Sequence, residues 1–167
     1  RLDYEQVQSV LTGEGSVDAR TDKDLRTLAR LARTLRQKRI QRGSLDFDLP
    51  EARVILGKDG APIDIQRVVQ LESHRLIEDF MLLANETVAR EAGKKKLPIP
   101  YRVHEPPSRD RMEELRRFLT TLGYPIGKKG ITGKDLQKIL NKVEGKPEAA
   151  LVSTVVLRSM ARARYQI

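Results

Sequence analysis

A chain of 167 residues with 32 Lys plus Arg against 23 Asp plus Glu carries a net formal charge of +9 and an isoelectric point near 10.0. That length builds one domain or a piece of a larger one, and a hydrophobic content of 39% is too high for a disordered basic tail, which lacks the apolar surface to offset ordering. The absence of cysteine excludes disulfide frameworks, thiolate nucleophiles and Cys-ligated metal sites. No run approaches the roughly 20 apolar residues of a membrane span, and no signal segment opens the chain, so no membrane partner is expected and the cytoplasm is the expected location. Arg stands at position 1, and Arg162 to Ile167 end on a helical pattern without a capping Gly or Asn, which together predict a fragment of a longer chain.

Val7, Val10 and Leu11 recur at helical spacing before Gly13, which predicts a short helix from Tyr4. Thr21 with Asp24 three residues on resembles a capping box. Behind it Leu25, Leu28, Ala32 and Leu35 predict a long amphipathic helix reaching Arg42, with Gly43 as its stop. The period then changes. Leu45, Phe47 and Leu49 alternate with Asp46 and Asp48, and Arg53-Val54-Ile55-Leu56 is followed by Asp59-Gly60 and by Ile63, Ile65 and Val68, the pattern of an antiparallel hairpin.

From Leu71 to about Ala92 apolar residues cover most of a helical circumference, which predicts a central helix packed on several sides. The prolines between Leu97 and Pro107 exclude helix and favour an extended course. Three further helices are expected: Ser108–Leu122, Thr132–Val143, and Pro147 to about Tyr165. The fold class is α+β, predominantly helical with a small antiparallel hairpin region.

Basic charge is concentrated between residues 20 and 42, where Arg20, Lys23, Arg26, Arg30, Arg33, Arg36, Lys38, Arg39 and Arg42 face only Asp22 and Asp24. Arg26, Arg30 and Arg33 share one helix face, either a solvated surface or one that binds a polyanion through bidentate phosphate contacts. Single-stranded nucleic acids bind where positive charge accompanies aromatic faces. Phe47 beside the basic helix is such an aromatic, or else an inward-facing strand residue. His74, Glu78 and Asn85 fall within about 40° of one another on the apolar helix, and a polar stripe there needs partners or lines a site. A bond between His74 and Glu78 is the common outcome at that spacing, and Arg75 with Asp79 reads as a surface ion pair. Arg102 and His104 share a face of an extended segment, either touching phosphate or rimming a loop. No Gly-rich phosphate loop, Ser nucleophile or cluster of several aspartates appears.

Four blocks together resemble the catalytic RNB domain of the ribonuclease II and ribonuclease R family, more closely ribonuclease R. They are Arg42-Gly43-Ser44-Leu45-Asp46-Phe47-Asp48 with Glu51, the run His74 to Asn85, Tyr101-Arg102-Val103-His104-Glu105-Pro106-Pro107, and Leu157-Arg158-Ser159-Met160. They stand in the family's order and spacing from residue 1 to residue 167. The resemblance implies a processive hydrolytic exoribonuclease that degrades single-stranded RNA from the 3′ end to nucleoside 5′-monophosphates, with Mg2+ as cofactor. It also implies that the metal-binding aspartate cluster lies upstream of this sequence and an arginine-bearing motif downstream, so that the chain is an internal segment of one RNB domain. Its partners are then single-stranded RNA and the remainder of the same polypeptide, and alone it is expected to be inactive.

Position by position, the resemblance makes Phe47 a residue that stacks on a terminal base. It makes Glu78 a carboxylate near the sugar of the 3′ end, and Tyr4 a residue selecting RNA over DNA. Arg102, His104 and Arg158 are further candidates for phosphate contacts. No catalytic and no metal-binding residue is expected within the segment. A non-catalytic RNA-binding or scaffold domain related to the nuclease is the alternative.

Overall fold

A computed structural model describes residues 1–47, 51–127 and 131–167. Its order is α1 (Tyr4–Thr12), α2 (Ala19–Arg42), β1 (Glu51–Leu56), β2 (Pro62–Val68), α3 (Glu72–Lys94), β3 (Tyr101–Val103), α4 (Arg109–Thr121), α5 (Gly133–Val143), α6 (Ala149–Ser159) and β4 (Arg164–Gln166). The helix-rich α+β class read from the pattern is the class observed. The chain divides into two compact units, residues 1–38 with 50–95 and residues 39–49 with 96–167.

In the first unit, Asp3 starts α1 through a reciprocal cap. Its Oδ1 accepts from the Gln6 N–H at 2.8 Å while Gln6 Oε1 accepts from the Asp3 N–H at 3.0 Å, and Gly13 closes the helix at φ 84°. The cap of α2 lies upstream of the expected one. Asp18, not Thr21, supplies the oxygen, accepting from the Thr21 N–H at 3.0 Å. Thr21 and Asp24 therefore do not form the expected box. Either acceptor satisfies the free N–H groups of a first turn, and the earlier one lets Ala19 and Arg20 join the helix.

Strands β1 and β2 form the expected hairpin, in a register that pairs Glu51 with Val68 and Val54 with Ile65. Gly60, at φ 81°, takes the left-handed turn position that Asp-Gly announces. The preceding strand expectation is not met over its described part: Leu45, Asp46 and Phe47 adopt no strand, and Asp48 and Leu49 lie outside the described residues.

Helix α3 departs from expectation. It buries one stripe, Ser73, Leu76 and Asp79, with Ala92 further on, while Ile77, Met81 and Val88 stand 51%, 53% and 62% exposed. The stripe packs on α2, where Leu76 joins Ala29 and Ala32, with Leu11 and Phe80 packed alongside. Small alanines one turn apart allow the close approach. That approach buries Asp79, which pairs with Arg36 of α2 at 3.1 Å, their side chains 2% and 18% exposed. Asp79 is thus a buried carboxylate held by α2, not half of a surface pair on its own helix.

The second unit is built on Leu115 and Leu119 of α4, Leu136, Ile139, Leu140 and Val143 of α5, and Val152 and Val156 of α6. Each fully buried leucine or valine contributes roughly 1.5–3 kcal/mol. Ser108 caps α4, and Thr132 caps α5 in a reciprocal box with Asp135. Helix α6 stops at Ser159, and Arg164–Gln166 pair antiparallel with Tyr101–Val103. The expected helix to Tyr165 is therefore overturned. Ala161-Arg162-Ala163-Arg164-Tyr165-Gln166-Ile167 alternates with period two, and a free strand edge at β3 satisfies its backbone. Among the described residues no helix is long and apolar enough to cross a membrane.

Replacing Arg36 with Ala should destabilise the fold by about 3 kcal/mol in chemical denaturation, because the buried Asp79 loses its ion pair with Arg36. Removing both charges together, as Arg36→Met with Asp79→Leu, should recover most of the loss. The Asp135 carboxyl is held below its ordinary 3.8 by the Thr132 hydroxyl and backbone N–H. Its contribution is present above the unfolded value and is lost as pH falls through the lower folded one. Thermal melts from about pH 5 down to about pH 2 should show a steeper acid loss in the parent chain than in Asp135→Asn.

Candidate nucleic-acid interface

In the first unit, Tyr4 and Gln8 are one turn apart on α1 and both reach the first turn of α3. Gln8 Oε1 accepts from the Ser73 N–H at 3.2 Å, and the Tyr4 ring lies 4.2 Å from the His74 ring, tilted by 34°. His74 does not bond Glu78. Its Nδ1 accepts from the Leu71 N–H at 3.2 Å, capping its own helix, so a neutral ring carries its proton on Nε2. Glu78 Oε2 accepts from Gln70 Nε2 at 3.2 Å, while Oε1 has no partner among the described residues. The stripe read from the sequence is therefore not an internal network. His74 and Glu78 are half-buried, Asn85 is exposed, and a charged carboxylate held by one neutral amide keeps its capacity to accept from a ligand.

The arginine face of α2 is largely committed within the chain. Arg26 Nε donates to Asp22 at 2.9 Å, a carboxylate that raises the Arg26 pKa above its ordinary value, and its terminal nitrogen donates to the Val10 carbonyl at 3.1 Å. Arg33 pairs with Glu72 at 2.5 Å and Arg36 with Asp79. Of the three arginines expected to share a polyanion face, only Arg30 has no partner among the described residues. A cleft of about 270 Å³ between α2 and α3 is lined by Arg33, Arg36 and Arg75 together with Glu72 and Asp79.

In the second unit, α2 ends at Gly43, φ 105°, and the chain runs past the start of α5. A Cβ on Gly133 would come within 2.1 Å of the Gly43 carbonyl oxygen, so the two backbones meet where only glycine fits. Three residues on, the Asp46 N–H donates to Gln137 Oε1 at 2.8 Å, and Gln137 Nε2 donates to Asn141 Oδ1 at 2.8 Å. Phe47 follows directly, half-buried against the core of this unit. Phe47 lies in no strand, but part of it packs inward against this core and the residue retains exposed surface.

Arg102 and His104 are exposed, and Arg158 is exposed in the last turn of α6. The register sets Arg102 opposite Tyr165, which is 76% exposed. Residues directly opposed on antiparallel strands share a sheet face, so a cation and an aromatic ring stand side by side. Sequence reading missed this pairing through the helical assignment of Tyr165. Beside it Arg164 pairs with Glu105.

Tyr4 and Glu78 thus belong to the first unit, and Phe47, Arg102, His104 and Arg158 to the second. Among the described residues no three His, Asp or Glu side chains are placed to hold a metal ion. The donors present do not fit the Mg2+ implied by the resemblance.

The family model for the RNB domain matches residues 1–167. The chain belongs to the RNB domain family. It is 41% identical over 169 residues to ribonuclease R of Aquifex aeolicus, covering 99% of this chain and 24% of that protein. It is 32% identical to ribonuclease R of Escherichia coli, covering 99% of this chain and 21% of that protein. The RNB segment therefore spans about a quarter of the length of these relatives. Among solved structures it superposes on Mycoplasma genitalium RNase R in complex with ribose-methylated single-stranded RNA with a TM-score of 0.90 at 26% identity, over 99% of this chain and 27% of that one. The same fold recurs in yeast Ssd1, a pseudonuclease, at a TM-score of 0.69 and 19% identity over 99% of this chain and 20% of that one.

Proposed function

We propose that this RNB segment supplies RNA-channel wall and the 3′-end base clamp of a processive, hydrolytic exoribonuclease. The enzyme would degrade single-stranded RNA from the 3′ end to nucleoside 5′-monophosphates. Glu78 carries the reading: a half-buried carboxylate on an apolar helix, one oxygen on Gln70 and the other without a partner among the described residues. Such an oxygen suits a ribose 2′-hydroxyl, the group that distinguishes RNA from DNA. Tyr4, fixed against His74 at the adjoining helix turn, would lie beside that sugar. Phe47 would stack on a terminal base, and Arg102, His104 and Arg158, all exposed, would meet backbone phosphates.

The similarity to ribonuclease R proteins along the whole chain supports the nuclease reading, as does the close match to a ribonuclease R bound to RNA. On this reading the Mg2+ ligands and the arginine motif belong to other parts of the same polypeptide. The apolar residues left exposed along α3 and on the β1–β2 hairpin would then be covered by the rest of that polypeptide.

The segment alone, incubated with end-labelled single-stranded RNA and Mg2+, should release no nucleotides. Robust release that is lost on substituting a residue within the segment would overturn this assignment. In the full-length protein, Phe47→Ala should weaken binding of RNA 3′ ends by roughly 1–3 kcal/mol, the range for one base on one aromatic face. Unchanged affinity in a fluorescence titration would reject the stacking role.

A further inference from the structure

The residue that carries the proposed base contact lies outside any regular element. Leu45, Asp46 and Phe47 follow the last turn of α2 and belong to neither helix nor strand, so no ladder of backbone bonds fixes them. Two features of α5 do. At its first residue, Gly133 lies against the Gly43 carbonyl at a separation that no Cβ would permit, which sets where the chain leaves α2. One turn further, Gln137, only 9% exposed, accepts the Asp46 N–H at 2.8 Å. Its amide group is itself oriented, because Nε2 donates to Asn141 Oδ1 at 2.8 Å, so the oxygen and not the nitrogen faces Asp46. Leu45 and Phe47, on either side of that bond, pack against the cluster that contains Leu136 and Leu140 of the same helix.

We infer that Gln137 is a positioning residue for Phe47, and that α5 sets the pose of the aromatic ring through the bond to the Asp46 N–H. This rests on the stacking role proposed for Phe47. A buried glutamine on a core helix has no packing reason to be there, since leucine would fill the same volume without a polar group to satisfy. Its use is to hold a backbone N–H that otherwise has no partner in an irregular segment. An irregular loop held at one N–H and one glycine contact keeps the ring in place before RNA arrives, so that less ordering is required on binding.

The test is a double-mutant cycle in the full-length protein, read as the affinity for a fluorescein-labelled single-stranded oligoadenylate with a free 3′ end. Gln137→Leu, which keeps the volume and removes the acceptor, should weaken binding by about three- to tenfold, the range for one lost hydrogen bond. Gln137→Glu, which keeps an acceptor oxygen for the Asp46 N–H, should restore part of that loss. In a Phe47→Ala background Gln137→Leu should have almost no further effect, because the group it positions is gone. An equal penalty in both backgrounds, as a general loss of folding would give, overturns the inference. So does wild-type affinity for Gln137→Leu when Phe47→Ala is weakened. A Phe47→Ala protein that binds as tightly as wild type overturns the stacking reading itself, and the inference with it.

Discussion

Asp79 is a carboxylate only 3% exposed inside a helix, and the packing of the first unit depends on what answers its charge. An uncompensated buried carboxylate costs several kcal/mol, so the approach of α2 and α3 through Ala29, Ala32 and Leu76 is tied to the ion pair with Arg36. The apolar contact between α2 and α3 is small, Ala29, Ala32 and Leu76 with Leu11 and Phe80 beside them, and cannot by itself fix how the helices face each other. The ion pair does so because it is directional. Arg33 to Glu72 and Arg26 to Asp22 and the Val10 carbonyl extend the same arrangement along α2 toward α1 and α3. A helix whose composition suggests a polyanion surface thus spends much of its charge on its own neighbours.

That use of charge changes what the +9 excess means. The cations left for an outside partner are less those of the α2 stripe than isolated ones such as Arg102 on β3 and Arg158 in the last turn of α6, with Tyr165 opposite Arg102. Exposed cations beside aromatic rings suit a flexible single strand better than a flat basic face does, because bases stack while phosphates follow the positive groups. The two units are also held differently. The first relies on charge between helices. The second has a core of leucine, isoleucine and valine, and the buried Gln137 beside it faces the segment that carries Phe47.

Much of the fold was legible in the residues. Glycines at the ends of α1, α2 and α4, Asp59-Gly60 in the hairpin, and the Thr132 to Asp135 box act within a few residues of themselves, so their consequences follow from local sterics and hydrogen bonding. The errors fall where distant residues compete. The α2 cap went to Asp18, because several residues near a helix start can satisfy the same N–H groups. Arg164–Gln166 became a strand because β3 offered a pairing edge 63 residues earlier in the chain, and period-two alternation is weak over three residues. His74 and Glu78 share a face yet found separate partners in Leu71 and Gln70, since an i, i+4 spacing permits a contact without requiring one.

The sequence by itself determined the class, the helix stops at glycine, the hairpin and, through four blocks in order, the RNB family, because these rest on local geometry or on residues read in succession. Only the tertiary structure decided which arginines remain for a partner, that Asp79 is buried, that Tyr4 rests on His74 and that Gln137 holds the Phe47 segment. Each of those joins residues separated by tens of positions. Whether a charged or polar side chain faces solvent, a ligand or its own core depends on what the rest of the chain brings beside it.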